Sequence, residues 1–178
     1  LIELLKFQDI QVTVEIAWFF AFFTAKDVEP VMIIRKLGFI FKFLDMLRQQ
    51  SIWLSTAIMQ DTDKLAELQP LFIPIIRILG NLTSGELEWM DEVLLDDTVL
   101  HFLCSILSRK NKNANQLNKV LQKEGLWVIA NILCSNDQSR VRVASYSNTF
   151  GNILHDVIID SFHSDEYECQ KGALFALE

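Results

Sequence analysis

Glu124-Gly125-Leu126-Trp127, with Asn131 four residues further on, is the stretch that decides how this chain folds. It has counterparts elsewhere: Glu15-Ile16-Ala17-Trp18, then Pro74-Ile75-Ile76-Arg77-Ile78-Leu79-Gly80-Asn81, and finally Lys171-Gly172-Ala173-Leu174-Phe175. With Trp18, Arg77, Trp127 and Phe175 taken as equivalent, each step is roughly 50–60 residues. A long period carrying a helical pattern is the signature of a stacked helical repeat, in which each unit buries its face against its neighbours.

Composition agrees. The 178 residues are enough for one domain with a sizeable core. They are 51% hydrophobic and 22% charged, which argues against disorder. Six Gly and three Pro are too little punctuation for strands joined by tight turns, so helices are favoured. The net charge of −7 disfavours nucleic-acid binding, which rests on Lys and Arg neutralising phosphate. It suits basic partners better, and its plainer reading is solubility. Cys104, Cys134 and Cys169 are odd in number and far apart, so no disulfide framework is expected and a reducing compartment fits. Asn81-Leu82-Thr83 matches a glycosylation sequon, a pattern common by chance. The apolar run from Ile16 to Phe23 is too short for a bilayer, which takes about 20 residues. It is expected to form a buried helix, with no membrane insertion.

Along the chain, helical periodicity predicts a helix over 11–25, a short helix over 28–37 closed by Gly38, and a longer one from Phe39. Residues 51–69 are read as extending that helix and then looping. Pro70 suits the first turn of a helix over 70–84, with Pro74 kinking it one turn in and Gly85 stopping it. The cycle returns as helices 86–96, 98–109 and 116–134, with a polar loop over 110–115, and then as helices near 137–145, 148–163 and from about 166. Short helix, second helix, third helix is the armadillo unit, usually about 40–47 residues long. The excess length falls at 50–69 and 110–120, both between second and third helices. The expected fold is therefore an all-α, right-handed α-solenoid of armadillo repeats. It is read as one domain over 1–178, a fragment of a longer solenoid with repeats at 1–27 (partial), 28–85, 86–135 and 136–178 (truncated).

Laid out in this way, the chain resembles the importin-α family, adaptors that read basic nuclear localisation signals. The resemblance spans nearly all of the sequence and four successive repeats. Pro74-x-x-Arg77-x-x-Gly80-Asn81-x-x-x-Gly85 is its most specific part, similar to a family repeat in which Arg replaces the usual Trp. Lys123-Glu124-Gly125-Leu126-Trp127 with Asn131 is similar to the next repeat, and Gln170 to Phe175 to the one after, with Phe for Trp and Gly172 for Glu. Val12 to Trp18, Glu124 to Trp127 and the insertion at 50–69 resemble more closely a divergent, importin-α-like member.

The resemblance implies that third helices line a groove. There a Trp and an Asn four residues apart lie one turn apart on one helix face. The Asn amide bonds an extended peptide backbone, and the rings hold the aliphatic stem of a Lys or Arg. On this pattern the candidate peptide-binding residues are Trp18, Arg77, Asn81, Glu124, Trp127, Asn131 and Phe175. Only Trp127/Asn131 is a complete pair; Trp18 is followed by Phe22, and Gly172 lacks the family's acid. Each residue also has a plainer reading: Trp127 and Phe175 as core, Asn131 as a bridge between helices, Arg77 as the partner of a neighbouring acid.

Other features are weaker. Glu86 to Asp97 holds six acids among apolar residues, read as a solvated amphipathic helix or a dock for a basic partner. His101 with Cys104, and His155 and His163 with Asp156 and Asp160, lack metal-ligand spacing. No Gly-rich phosphate loop or nucleophile elbow occurs. The expectation is a non-enzymatic binding module without metal or cofactor, cytoplasmic or nuclear. Its partner would be a basic peptide or protein cargo, with an importin-β-like carrier reached through regions outside these residues. The alternatives are a scaffold that has lost signal reading, and a membrane-associated protein, which the short apolar runs disfavour.

Overall fold

The computed structural model describes residues 9–25, 28–48, 62–107, 116–150, 153–164 and 167–177, and among these it contains helices and no strand. The chain divides into two compact units, Leu1–Val93 and Leu94–Glu178.

The first unit begins with α1, Ile10–Thr24. Asp9 caps it by accepting from the Gln11 and Val12 amides at 2.9 and 3.3 Å, which satisfies two of the orphan donors of the first turn. Helix α2, Val28–Lys36, is short. It closes at Gly38, whose φ of +74° lies where only glycine is unstrained, and the Gly38 amide donates back to the Arg35 carbonyl at 2.8 Å. That sharp stop turns the chain into α3, residues 39–48, which buries Phe39, Ile40, Phe43, Leu44, Met46 and Leu47. Helix α4, Thr62–Thr83, packs along α1, and α5, Leu87–Val93, packs on α4. The order short helix, second helix, long third helix is the one expected from periodicity.

Two expectations need correction. Helix α4 starts at Thr62, so Pro70 does not open it; Pro70 and Pro74 both lie inside. Pro70 sits at the exposed surface while Leu71, Phe72, Ile75 and Ile76 are buried, so apolar packing holds the helix together through two missing donors. The Ile16–Phe23 helix is buried on one side only. Ile16, Ala17, Phe20 and Ala21 are in the core, whereas Phe22 is 63% exposed and Phe19 44%. No described element covers that outer side. The readings of 51–61 and of the loop at 110–115 lie outside the described residues.

The second unit comprises α6, Thr98–Leu107; α7, Gln116–Ser135; α8, Asp137–Phe150; α9, Ile153–Phe162; and α10, Tyr167–Leu177. Helices α8, α9 and α10 repeat the order of α2, α3 and α4. Helix α10 packs on both α7 and α9. Its approach to α7 is set by Gly172: a Cβ there would meet the Leu126 Cβ at 3.1 Å, tighter than side chains normally accept. Helices α7 and α9 are further joined by a part-buried polar chain. The Gln122 amide donates to Ser161 Oγ at 2.8 Å, and the fully buried Ser161 hydroxyl donates to the Val157 carbonyl at 2.6 Å.

Among the described residues no helix is long and apolar enough to cross a membrane, and no group of three or more His, Cys, Asp or Glu is placed to hold a metal ion. The cysteines are free, with Cys104 and Cys169 buried and Cys134 exposed.

Candidate functional site

The seven predicted site residues fall into two groups, one in each unit. In the second unit, Trp127 and Asn131 project from one face of α7, and Phe175 projects from the facing side of α10. Together they line a cleft of about 350 Å³, to which Ala130 and Gly172 also contribute. Trp127 is 37% exposed and Phe175 49%, so neither is core, and the two rings are presented to solvent from adjacent helices. The apolar residues that hold α7 in place, Leu126, Val128, Ile129 and Ile132, point the other way into the core. Helical periodicity thus separates a packing face from a presenting face. Glu124 is half-buried on α7 and is not among the residues lining the cleft.

Three charged residues of the cleft were not among those predicted. Lys123 and Lys171 stand one turn before Trp127 and Phe175, so Lys-x-x-x-aromatic occurs at the same position of successive repeats. The Lys171 ammonium lies 6.0 Å from the centroid of the Phe175 ring, within cation–π range. Glu168, from the first turn of α10, pairs with Lys123 at 3.8 Å; both side chains are about half exposed. Cys134 also lines the cleft, and its thiol lies 3.5 Å from the Phe175 carbonyl oxygen. The signal for the lysines was present in the repeat spacing. The place of Glu168 depends on how α10 docks on α7, which local pattern does not specify.

In the first unit, Trp18 of α1 meets Arg77 of α4. The guanidinium carbon sits 5.5 Å from the Trp18 ring centroid, and the ring stacks on Phe22 with centroids 5.6 Å apart. Asn81 donates through Nδ2 to the Ala21 carbonyl at 3.0 Å and to Thr24 Oγ1 at 3.1 Å. Its amide therefore ties third helix to third helix, the bridging role weighed above for Asn131. Chemically, the second group presents aromatic faces to solvent, whereas in the first group the ring of Trp18 and the amide of Asn81 are engaged within the chain.

No family model and no curated protein matches this chain. Solved structures do. An engineered protein superposes with a TM-score of 0.69 at 19% identity, covering 99% of this chain and 59% of that one. A designed armadillo repeat protein in complex with the peptide (KR)4 gives 0.69 at 18% identity, covering 99% and 61%. Another engineered protein gives 0.70 at 20% identity, covering 99% and 35%. This chain thus spans less than two thirds of the length of each of these proteins. Its fold is the armadillo repeat, an all-α solenoid.

Proposed function

We propose that this chain is a non-enzymatic peptide-binding module that holds an extended segment of a partner protein against its third helices. The observation that carries this reading is the cleft between Trp127 and Phe175: two exposed rings on adjacent third helices, an amide on one wall, and room for one long side chain. The peptide bound by the designed armadillo protein supports it by analogy of fold. A ring contact to a cation contributes about 0.5–2 kcal/mol and a net hydrogen bond about 0.5–1.5 kcal/mol, so affinity needs several contacts in register.

On the importin-α resemblance alone, the peptide would be a basic, nuclear-localisation-type signal and the role nuclear import. The chain would then work in cytoplasm and nucleus, with an importin-β-like carrier engaged through other regions. Within that family, the patterns Val12 to Trp18 and Glu124 to Trp127 resemble those of transmembrane and coiled-coil domain-containing protein 6. A second reading, a divergent scaffold that no longer reads basic signals, is favoured by a specific observation. The faces of Trp18 and Phe175 are already occupied by the chain's own Arg77 and Lys171.

The test is fluorescence anisotropy of a labelled bipartite basic peptide, at low and near-physiological salt, against the parent chain and the Trp127→Ala/Asn131→Ala double variant. Saturable binding that survives salt and drops in the variant supports signal reading. Binding that salt abolishes equally in both proteins leaves only a generic acidic surface and overturns it.

A further inference from the structure

The charge of the α7–α10 cleft is opposite to that of the chain. The sequence carries a net −7, yet the charged residues lining this cleft are Lys123, Lys171 and Glu168. Glu168 is taken up by Lys123 at 3.8 Å. Lys171 is exposed and lies over the Phe175 ring, with no carboxylate within ion-pair distance among the described residues. An incoming Lys or Arg would have to displace Lys171 from the ring and accept a like charge beside it. An incoming carboxylate would instead meet an ammonium already positioned by the ring.

Resting on the peptide-binding reading above, we propose that this cleft selects a peptide segment in which an acidic residue stands beside a long apolar one. The apolar side chain enters between Trp127 and Phe175, and the carboxylate pairs with Lys171. Lys171 is then a specificity-determining residue. Charge complementarity at such a site works chiefly by discriminating between partners, because like charges brought together cost more than a half-exposed pair gains.

The test uses three labelled peptides of equal length, alternating Glu-Leu, Ser-Leu and Lys-Leu, measured by anisotropy at about 0.15 M salt. Under those conditions the net charge of the rest of the chain is screened beyond about 8 Å. The expected order is Glu-Leu tightest, with about a tenfold preference over Lys-Leu, equivalent to ~1.4 kcal/mol. Lys171→Glu should reverse the order, Lys171→Arg should keep it, and Trp127→Ala should weaken all three alike. Lys171 is exposed, and a circular dichroism spectrum checks that each variant is folded. Alkylation of Cys134, the exposed thiol of the cleft, gives a second readout, since a bound peptide should slow it. If Lys-Leu protects Cys134 and binds as tightly as Glu-Leu, the charge preference is overturned while peptide binding stands. If none of the three binds or protects Cys134, the cleft reading fails and takes this inference with it.

Discussion

The Asn81 side-chain amide donates to the Ala21 carbonyl oxygen at 3.0 Å and, through the same nitrogen, to Thr24 Oγ1 at 3.1 Å. The Thr24 hydroxyl in turn donates to the Phe20 carbonyl at 2.8 Å, so a short relay of hydrogen bonds crosses from α4 to α1. Asn81→Ala removes both hydrogen bonds and leaves the Ala21 carbonyl and the Thr24 hydroxyl each with one partner fewer. A loss of about 1–2 kcal/mol is expected in denaturant unfolding. A double-mutant cycle with Thr24→Val should show a coupling of at least about 0.5 kcal/mol. Additive effects would mean that the relay contributes nothing as a unit.

Arg35 reaches from α2 to α5 and closes a fork on two acids, with Nε and Nη2 on Glu92 at 2.9 and 2.6 Å and Nη1 on Glu88 at 3.1 Å. A lysine carries the charge but cannot make that fork. Arg35→Lys is expected to cost about 0.5–1 kcal/mol, because Glu88 is well exposed and solvent weakens that arm. Thermal unfolding in low and high salt checks this: the gap between parent and variant should narrow as salt rises.

Gly172 reads in the repeat pattern as a lost acid, but in space it is a contact point. In an ordinary helix, Gly→Ala stabilises by about 1 kcal/mol. Here the new Cβ would press on the Leu126 Cβ at 3.1 Å, a backbone-fixed atom that rotamer change cannot remove. Gly172→Ala is therefore expected to show a melting temperature no higher than the parent, and Gly172→Glu a lower one. A clear rise for the alanine variant would show that α10 shifts freely on α7.

Tyr146 bonds its hydroxyl to His101 Nδ1 at 2.9 Å and also interacts with the buried Cys104 thiol. Burial pushes the Cys104 thiol up from 9.0 to about 11 and raises the Tyr146 phenol as well. Both groups are neutral acids whose folded values lie above their unfolded ones, so the unfolded chain loses protons first as pH rises. Their contribution is complete below about pH 9 and falls as the pH climbs towards 11. Unfolding free energies at pH 8 and pH 10.5 should differ by up to about 2–3 kcal/mol, with a smaller difference in Cys104→Ala. Equal stability at the two pH values would contradict the burial of these groups.

Much of the fold was legible because it is written in short-range pattern. The apolar spacing of α7 and α10, the glycine at 38 and the Trp127/Asn131 pair each fall within one or two helical turns. The pairing of Trp127 with Phe175 followed from the repeat period, since equivalent positions on adjacent units face one cleft. What was not legible depends on contacts across tens of residues. Asn81 bonds to α1 from 60 residues away, Arg77 lies over Trp18, and Glu168 reaches Lys123 only after α10 has docked. Pro70 misled for another reason. A proline is a strong local signal for a first turn, but burial of Leu71, Phe72, Ile75 and Ile76 outweighs it.

Pro70 and Pro74 stand one turn apart on α4, so two successive rungs of the backbone ladder are missing along the same edge. A helix weakened on one side does not flex equally in all directions. It yields most easily about the weakened edge, much as a hinge pin fixes the plane in which a door swings. The compliance of α4 is thereby directional. A tilt of α4 at the prolines would leave Arg77 and Asn81, which lie beyond them and contact α1, in place.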